Sequence, residues 1–230
     1  MKEYTKKIHS ILAKHGNDLT AQAMSKSANN QFKFLGIKTV EFKELTKKIF
    51  SNYPLPKNDE TQSIIRELFS FNEREYLYFG IFLLLKRKKM WQKTDIVFIE
   101  SLILTQPGWD TTDYISTEIV SLFYQMYPKI ATEFLRSWST LKSQWLRATA
   151  IMFQRSMKDK TNTELLKEFI TDNIETDNDI INKAIGAALR DYSKSDHKWV
   201  LNFVVQNSSK MNKKAKQEAI KWMDSKKLIK

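Results

Sequence analysis

Residues 96–128 read IVFIESLILTQPGWDTTDYISTEIVSLFYQMYP, and this stretch decides the fold class. Ile96, Ile99, Leu102 and Ile103 recur at intervals of three and four, which places them on one stripe of an α-helix. Pro107-Gly108 ends that pattern. Ile115, Ile119, Leu122, Phe123 and Met126 then restart it and carry it to Pro128. The stretch therefore predicts two short amphipathic helices separated by a tight break. Helices of this length are marginal alone, so each must bury its stripe on a neighbour.

The same reading extends in both directions. Ile8, Ile11 and Leu12 start a segment that stops near Gly16. Val40, Phe42, Leu45, Ile49 and Phe50 follow Thr39, an expected N-cap, and end before Pro54-Leu55-Pro56. Ile64, Ile65, Leu68 and Phe69 form the next segment. Asn72 is the expected cap of the one after, which carries Tyr76, Phe79, Phe82 and Leu83. Further helices are expected over 130–138, 145–157, 165–174, 180–189, 199–205 and 215–223. About a dozen short helices result. Paired in sequence they give roughly six units of about 35–40 residues, the size of HEAT-like repeats. The units lack strict self-similarity, so the period establishes an all-α chain and leaves a solenoid and a globular bundle both open. No linker rich in Pro, Gly or Ser interrupts it, so residues 1–230 read as a single domain. The basic stretch Lys210 to Lys230 is either a last capping helix with a solvated face or a DNA-facing tail.

Composition narrows the function classes. The 230 residues carry 38 Lys+Arg against 26 Asp+Glu, a formal net charge of +12. An excess of this kind points to a polyanion such as nucleic acid or an anionic membrane surface, or serves solubility alone. Cysteine is absent, which excludes disulfides, thiolate catalysis and Cys-based metal sites. The three histidines, His9, His15 and His197, are not at metal-ligand spacing. Only 5 Gly and 4 Pro occur, too few for a turn-rich β architecture or a glycine phosphate loop. No GxGxxG, Walker or GxSxG pattern is found. The longest apolar run, Tyr76 to Leu85, is too short for a membrane span and meets Lys86-Arg87-Lys88-Lys89. Met1-Lys2-Glu3-Tyr4 lacks a signal-peptide core, so a cytoplasmic protein is expected.

Three segments can carry chemistry. In Pro107-Gly108-Trp109-Asp110-Thr111-Thr112-Asp113-Tyr114, Trp109 and Asp113 are four residues apart and share a helix side. The bland alternative makes Asp110 an N-cap, Asp113 an acidic partner of the helix dipole and Trp109 a staple. In Trp145-Leu146-Arg147-Ala148-Thr149-Ala150-Ile151-Met152-Phe153-Gln154, the small residues allow close helix approach. Arg147 beside them suits a phosphate, or is an ordinary surface arginine. In Asn182-Lys183-Ala184-Ile185-Gly186-Ala187-Ala188-Leu189-Arg190-Asp191-Tyr192, Gly186 interrupts a strong helix pattern at a cost of about 1 kcal/mol against Ala. That implies close packing or a close ligand. Lys183 and Arg190 lie two turns apart on one face, suited to phosphates or simply solvated.

These blocks, together with Phe32-x-Phe34-Leu35-Gly36-Ile37-Lys38-Thr39 and Ile65-Arg66-Glu67-Leu68, occur in order over nearly the whole chain. They resemble the DNA alkylation repair family of HEAT-like-repeat DNA glycosylases, the AlkD-like proteins. The resemblance implies a right-handed α-solenoid of about six helix pairs, curved, with a basic concave face holding duplex DNA. It implies a monofunctional hydrolase that excises cationic N3- or N7-alkylpurines, 3-methyladenine and 7-methylguanine among them. Asp113 would be the catalytic carboxylate, and Trp109, Arg147, Lys183 and Arg190 would bind substrate and DNA. No metal, organic cofactor, membrane or protein partner is implied, and a monomer near the nucleoid is expected.

A cationic purine needs no protonation to leave, so positive charge develops on the deoxyribose. A carboxylate can stabilise that charge and orient the attacking water, and an aromatic face adds attraction. Two departures from the family pattern predict weak or lost activity. Ala187 stands where the family has Trp, and Ser27 where it has Tyr. Each lost aromatic contact is worth about 1–3 kcal/mol. Met24 to Gln31, rich in Ser and Asn, is expected to be a frayed or missing helix. Three functions follow: an alkylpurine glycosylase, a non-enzymatic DNA-binding paralogue, and a protein-binding helical solenoid.

Overall fold

A computed structural model describes residues 1–228. Among them no strand occurs, only one isolated bridge between Lys33 and Glu73. The chain divides into two compact units, Met1–Gln92 and Lys93–Lys230.

The first unit holds α1 (Glu3–Lys14), α2 (Asp18–Ser27), α3 (Thr39–Asn52), α4 (Asn58–Phe69) and α5 (Arg74–Lys86). Ile8 and Leu12 of α1 are fully buried, as are Ile65 and Leu68 of α4 and Leu77 and Phe79 of α5. These three helices pack on one another. Helix α2 has no counterpart in the periodicity, because none of its residues is buried. Its N-cap is Asn17, whose side chain accepts the Thr20 N–H at 2.9 Å. The expected break falls later than Met24: Ser25, Lys26 and Ser27 are helical, and Asn29 and Asn30 then take positive φ and end the helix. The following strap, Leu35 to Ile37, is fixed by Glu75, a buried carboxylate. Its oxygens accept the Leu35, Gly36 and Ile37 N–H groups at 2.9, 3.0 and 3.2 Å. Gly36 is needed there, since φ is +86° and a Cβ would lie 2.1 Å from the Asn17 carbonyl.

The second unit holds α6 (Asp95–Leu104), α7 (Trp109–Tyr114), α8 (Ser121–Met126), α9 (Pro128–Thr140), α10 (Gln144–Met152), α11 (Thr163–Thr171), α12 (Asp179–Tyr192), α13 (His197–Gln206) and α14 (Lys213–Ser225). A π-helical segment, Ile115–Val120, joins α7 to α8. Helices α10, α12 and α14 pack in succession, and α9, α11 and α13 contact them, the repeat logic of an α-solenoid. Ser143, Asn162, Asn178, Asp196 and Asn212 cap their helices through side-chain acceptors. Each replaces a partner the first-turn N–H groups lack. Pro128 occupies the first turn of α9, where its missing N–H costs nothing.

Several expected caps are corrected. Thr39 is the first residue inside α3, with Lys38 as N-cap. Asn72 precedes Glu73, the N-cap of α5. Gly108, not Asp110, is the N-cap of α7, so Asp110 lies inside the first turn. Among the described residues no helix is long and apolar enough to cross a membrane. The expected basic tail is helical from Lys213 to Ser225, and its last two residues lie outside the described chain.

Candidate functional site

A cavity of about 430 Å³ opens in the second unit, lined by residues of α7, α12 and α14 together with Arg155 from the turn after α10. Helix α7 supplies Trp109 and Asp113. They are one turn apart, so the ring and the carboxylate face the same space. The π segment begins two residues after Asp113. Its widened turn is braced by Ser116, which is buried, donates to the Thr112 carbonyl and lies 3.2 Å from the Thr149 hydroxyl on α10. Thus Thr149 of α10 and the Thr112 carbonyl of α7 meet at Ser116, just after Asp113.

Helix α12 supplies Asn182, Lys183, Ala187 and Arg190. It can lie against α14 because Gly186 has no side chain. A Cβ there would come within 2.8 Å of the Glu218 Cβ and 3.1 Å of the Ala215 carbonyl. The glycine therefore serves helix packing, which answers the choice between packing and ligand approach.

Charge pairing organises the walls. Arg155 is largely buried and holds two carboxylates. One Nη donates to Asp113, and Nε donates to Asp191 at 2.7 Å. Arg190 pairs with Glu218 and lies 3.5 Å from Asp191. Lys214 reaches Asp179 at 3.1 Å. Lys183 differs: its ammonium sits 3.8 Å above the centre of the Trp109 ring. Burial pulls the Lys183 pKa below its ordinary value, and the Asp113 and Glu218 carboxylates only partly resist this. Burial acts to raise the Asp191 carboxyl. Hydrogen bonding from Lys194, with the charge and hydrogen bond of Arg155, overcomes that and holds it below the usual range.

Four of the five expected site residues, Trp109, Asp113, Lys183 and Arg190, line this cavity. Arg147 does not. Its Nε donates to Asn173 Oδ1 at 2.6 Å. Asn173 is itself buried and anchored to Ser139 and Phe169. Ala187 is nearly buried in the cavity wall. Ser27 belongs to the first unit, where its hydroxyl donates to the Ala23 carbonyl. Sequence reasoning missed Arg155, Asp191 and Glu218. The Arg155 contacts span 42 and 36 residues, and no local spacing announces them. Among the described residues no group of three His, Asp or Glu side chains could hold a metal ion.

Comparison with known proteins gives two findings and one absence. The family model described as DNA alkylation repair enzyme matches residues 8–223. A solved structure described as a predicted DNA alkylation repair enzyme from Enterococcus faecalis superposes with a TM-score of 0.83 at 26% identity. The match covers 91% of this chain and 97% of that one. No curated protein matches.

Proposed function

Since this chain belongs to the DNA alkylation repair enzyme family, we propose that its cavity acts on alkylated nucleotides of duplex DNA. The reaction we infer is slow hydrolysis of the N-glycosidic bond of cationic N3- and N7-alkylpurines. The observation that carries this reading is the placement of the Trp109 ring and the Asp113 carboxylate in one cavity. That pair suits a transition state with positive charge on the deoxyribose. Asp113 stabilises the charge and orients water, and Trp109 offers its negative face. Arg147, outside the cavity, bonds Asn173 through Nε, and its terminal N–H groups, without a partner among the described residues, suit a backbone phosphate.

The same geometry supports low efficiency. Arg155 offsets the negative charge of Asp113, and the Lys183 ammonium already occupies the Trp109 face. Ala187 leaves one wall without a ring. The test is release of 3-methyladenine and 7-methylguanine from alkylated duplex DNA. Slow release is expected, falling by on the order of 100-fold in Asp113→Asn. Release no greater than that of the variant, at high enzyme concentration, would sink the glycosylase reading. The two internal cations on Asp113 and Trp109 favour a second reading, a DNA-binding member that does no chemistry. Duplex binding without release would establish it.

A further inference from the structure

Four cationic side chains line the cavity: Arg155, Lys183, Arg190 and Lys214. Arg155, Arg190 and Lys214 are each tied to a carboxylate. Lys183 alone has no ion pair among the described residues; its amine is held by the Trp109 ring. An ammonium resting on an aromatic face surrenders no salt bridge when it loses its proton. It also repels a cationic purine from that face while leaving a neutral carbonyl unopposed.

We propose that Lys183 is a nucleophile and that this cavity takes an abasic deoxyribose, cleaving the strand on its 3′ side by β-elimination. The proposal rests on DNA being the partner and goes beyond hydrolysis, whose product is the abasic sugar. Burial and the neighbouring Arg155 charge both lower the Lys183 pKa, which enlarges the reactive amine fraction.

In the first step Nζ of neutral Lys183 attacks C1′ of the ring-opened sugar. The carbonyl π electrons move to oxygen, and the proton shed by the now cationic nitrogen passes to that oxygen, giving a neutral carbinolamine. Protonation of its hydroxyl expels water and leaves a protonated Schiff base. Asp113 then takes the C2′ proton. The C2′–H electron pair moves into the iminium to give an enamine and then forms the C2′–C3′ double bond, as the C3′–O bond breaks and its pair leaves on the 3′ phosphate oxygen. Water hydrolyses the conjugated Schiff base and returns the lysine. No oxidant, reductant or metal enters the balance.

The experiment uses the full chain and a duplex with one abasic site, with binding followed by fluorescence anisotropy and covalent capture by sodium borohydride. Wild type is expected to give a reduced adduct that maps by mass spectrometry to Lys183. Lys183→Ala and Lys183→Arg are expected to lose that adduct by on the order of 100-fold. Lys183→Arg keeps the charge, so its abasic-duplex affinity should stay within about 3-fold of wild type, which separates chemistry from binding. A bound duplex with no adduct, or an adduct undiminished in both variants, overturns the proposal and leaves the DNA reading intact. No binding of the duplex by wild type overturns both.

Discussion

At the scale of residues, Arg155 and Asp191 set the charge of the site. The Asp191 carboxylate is 13% exposed and the Arg155 side chain 15%, so neither is well solvated. Removing one member leaves the other partly buried without its counter-charge, which is costlier than the pair's own net worth. Asp191 also receives the Lys194 ammonium at 2.8 Å. These partners keep its carboxyl below the ordinary value of 3.8. The sign of the resulting pH dependence follows. On acidification the unfolded chain takes up the proton first, so the contribution of Asp191 is present above 3.8 and disappears as pH falls through the lower folded value. Asp191→Asn should therefore cost about 1–3 kcal/mol at neutral pH. The gap between wild type and variant should narrow as pH drops below 3.8, read from urea midpoints across an acid series. A gap that stays constant through acid would mean that Asp191 contributes by shape and not by charge.

At the scale of elements, the seam between α12 and α14 positions two cavity residues, Arg190 and Glu218, at once. Glu218 abuts Gly186 and pairs with Arg190 one turn further along α12. Gly186→Ala tests how tight that seam is. Helix propensity favours Ala by about 1 kcal/mol. Against this stand the 2.8 Å approach to the Glu218 Cβ and the 3.1 Å approach to a backbone carbonyl. Neither is the far end of a flexible chain, and overpacking of this kind costs about 1–3 kcal/mol. A net loss of about 1 kcal/mol is expected in thermal or urea unfolding; a stabilised variant would show that α14 gives way freely. The sequence made Gly186 conspicuous because it broke an otherwise good helix. Helix existence was legible wherever a stripe was buried, as with Ile96, Ile99, Leu102 and Ile103. Helix α2 was not legible, because it buries no side chain and so leaves no period. The π turn at Ile115–Val120 was hidden for a related reason: Ile115 and Ile119 keep a spacing of four whether the backbone bonds reach four residues or five. At the site, Trp109 with Asp113 and Lys183 with Arg190 were visible as one-helix spacings. The Arg155 bridge joins residues from three places in the chain and has no local signature.

At the scale of the molecule, the +12 excess is unevenly shared. Residues 1–92 carry 17 basic and 9 acidic side chains, and residues 93–230 carry 21 and 17, so the first unit holds +8 and the second +4. The expectation of a basic face carrying Arg147, Lys183 and Arg190 thus meets a second unit whose cavity cations are mostly balanced by Asp113, Asp179, Asp191 and Glu218. Non-specific affinity for duplex DNA should therefore depend more on the first unit than on the cavity. Within the run Lys86-Arg87-Lys88-Lys89, Arg87 donates to the Pro56 carbonyl at 2.8 Å, which ties it to the protein. Lys88 and Lys89 are exposed and make no ion pair among the described residues. Each phosphate neutralised contributes about 0.9 to the slope of log affinity against log salt. The double change Lys88→Ala with Lys89→Ala should lower that slope by up to about 2 and weaken binding alike for intact and alkylated duplexes. Lys183→Ala, by contrast, should leave the slope nearly unchanged, because its amine is committed to the Trp109 ring. A salt titration of fluorescence anisotropy measures both. A slope that falls for Lys183→Ala and not for the double variant would move the phosphate contacts from the first unit to the cavity, and would make Lys183 a backbone anchor in place of a nucleophile.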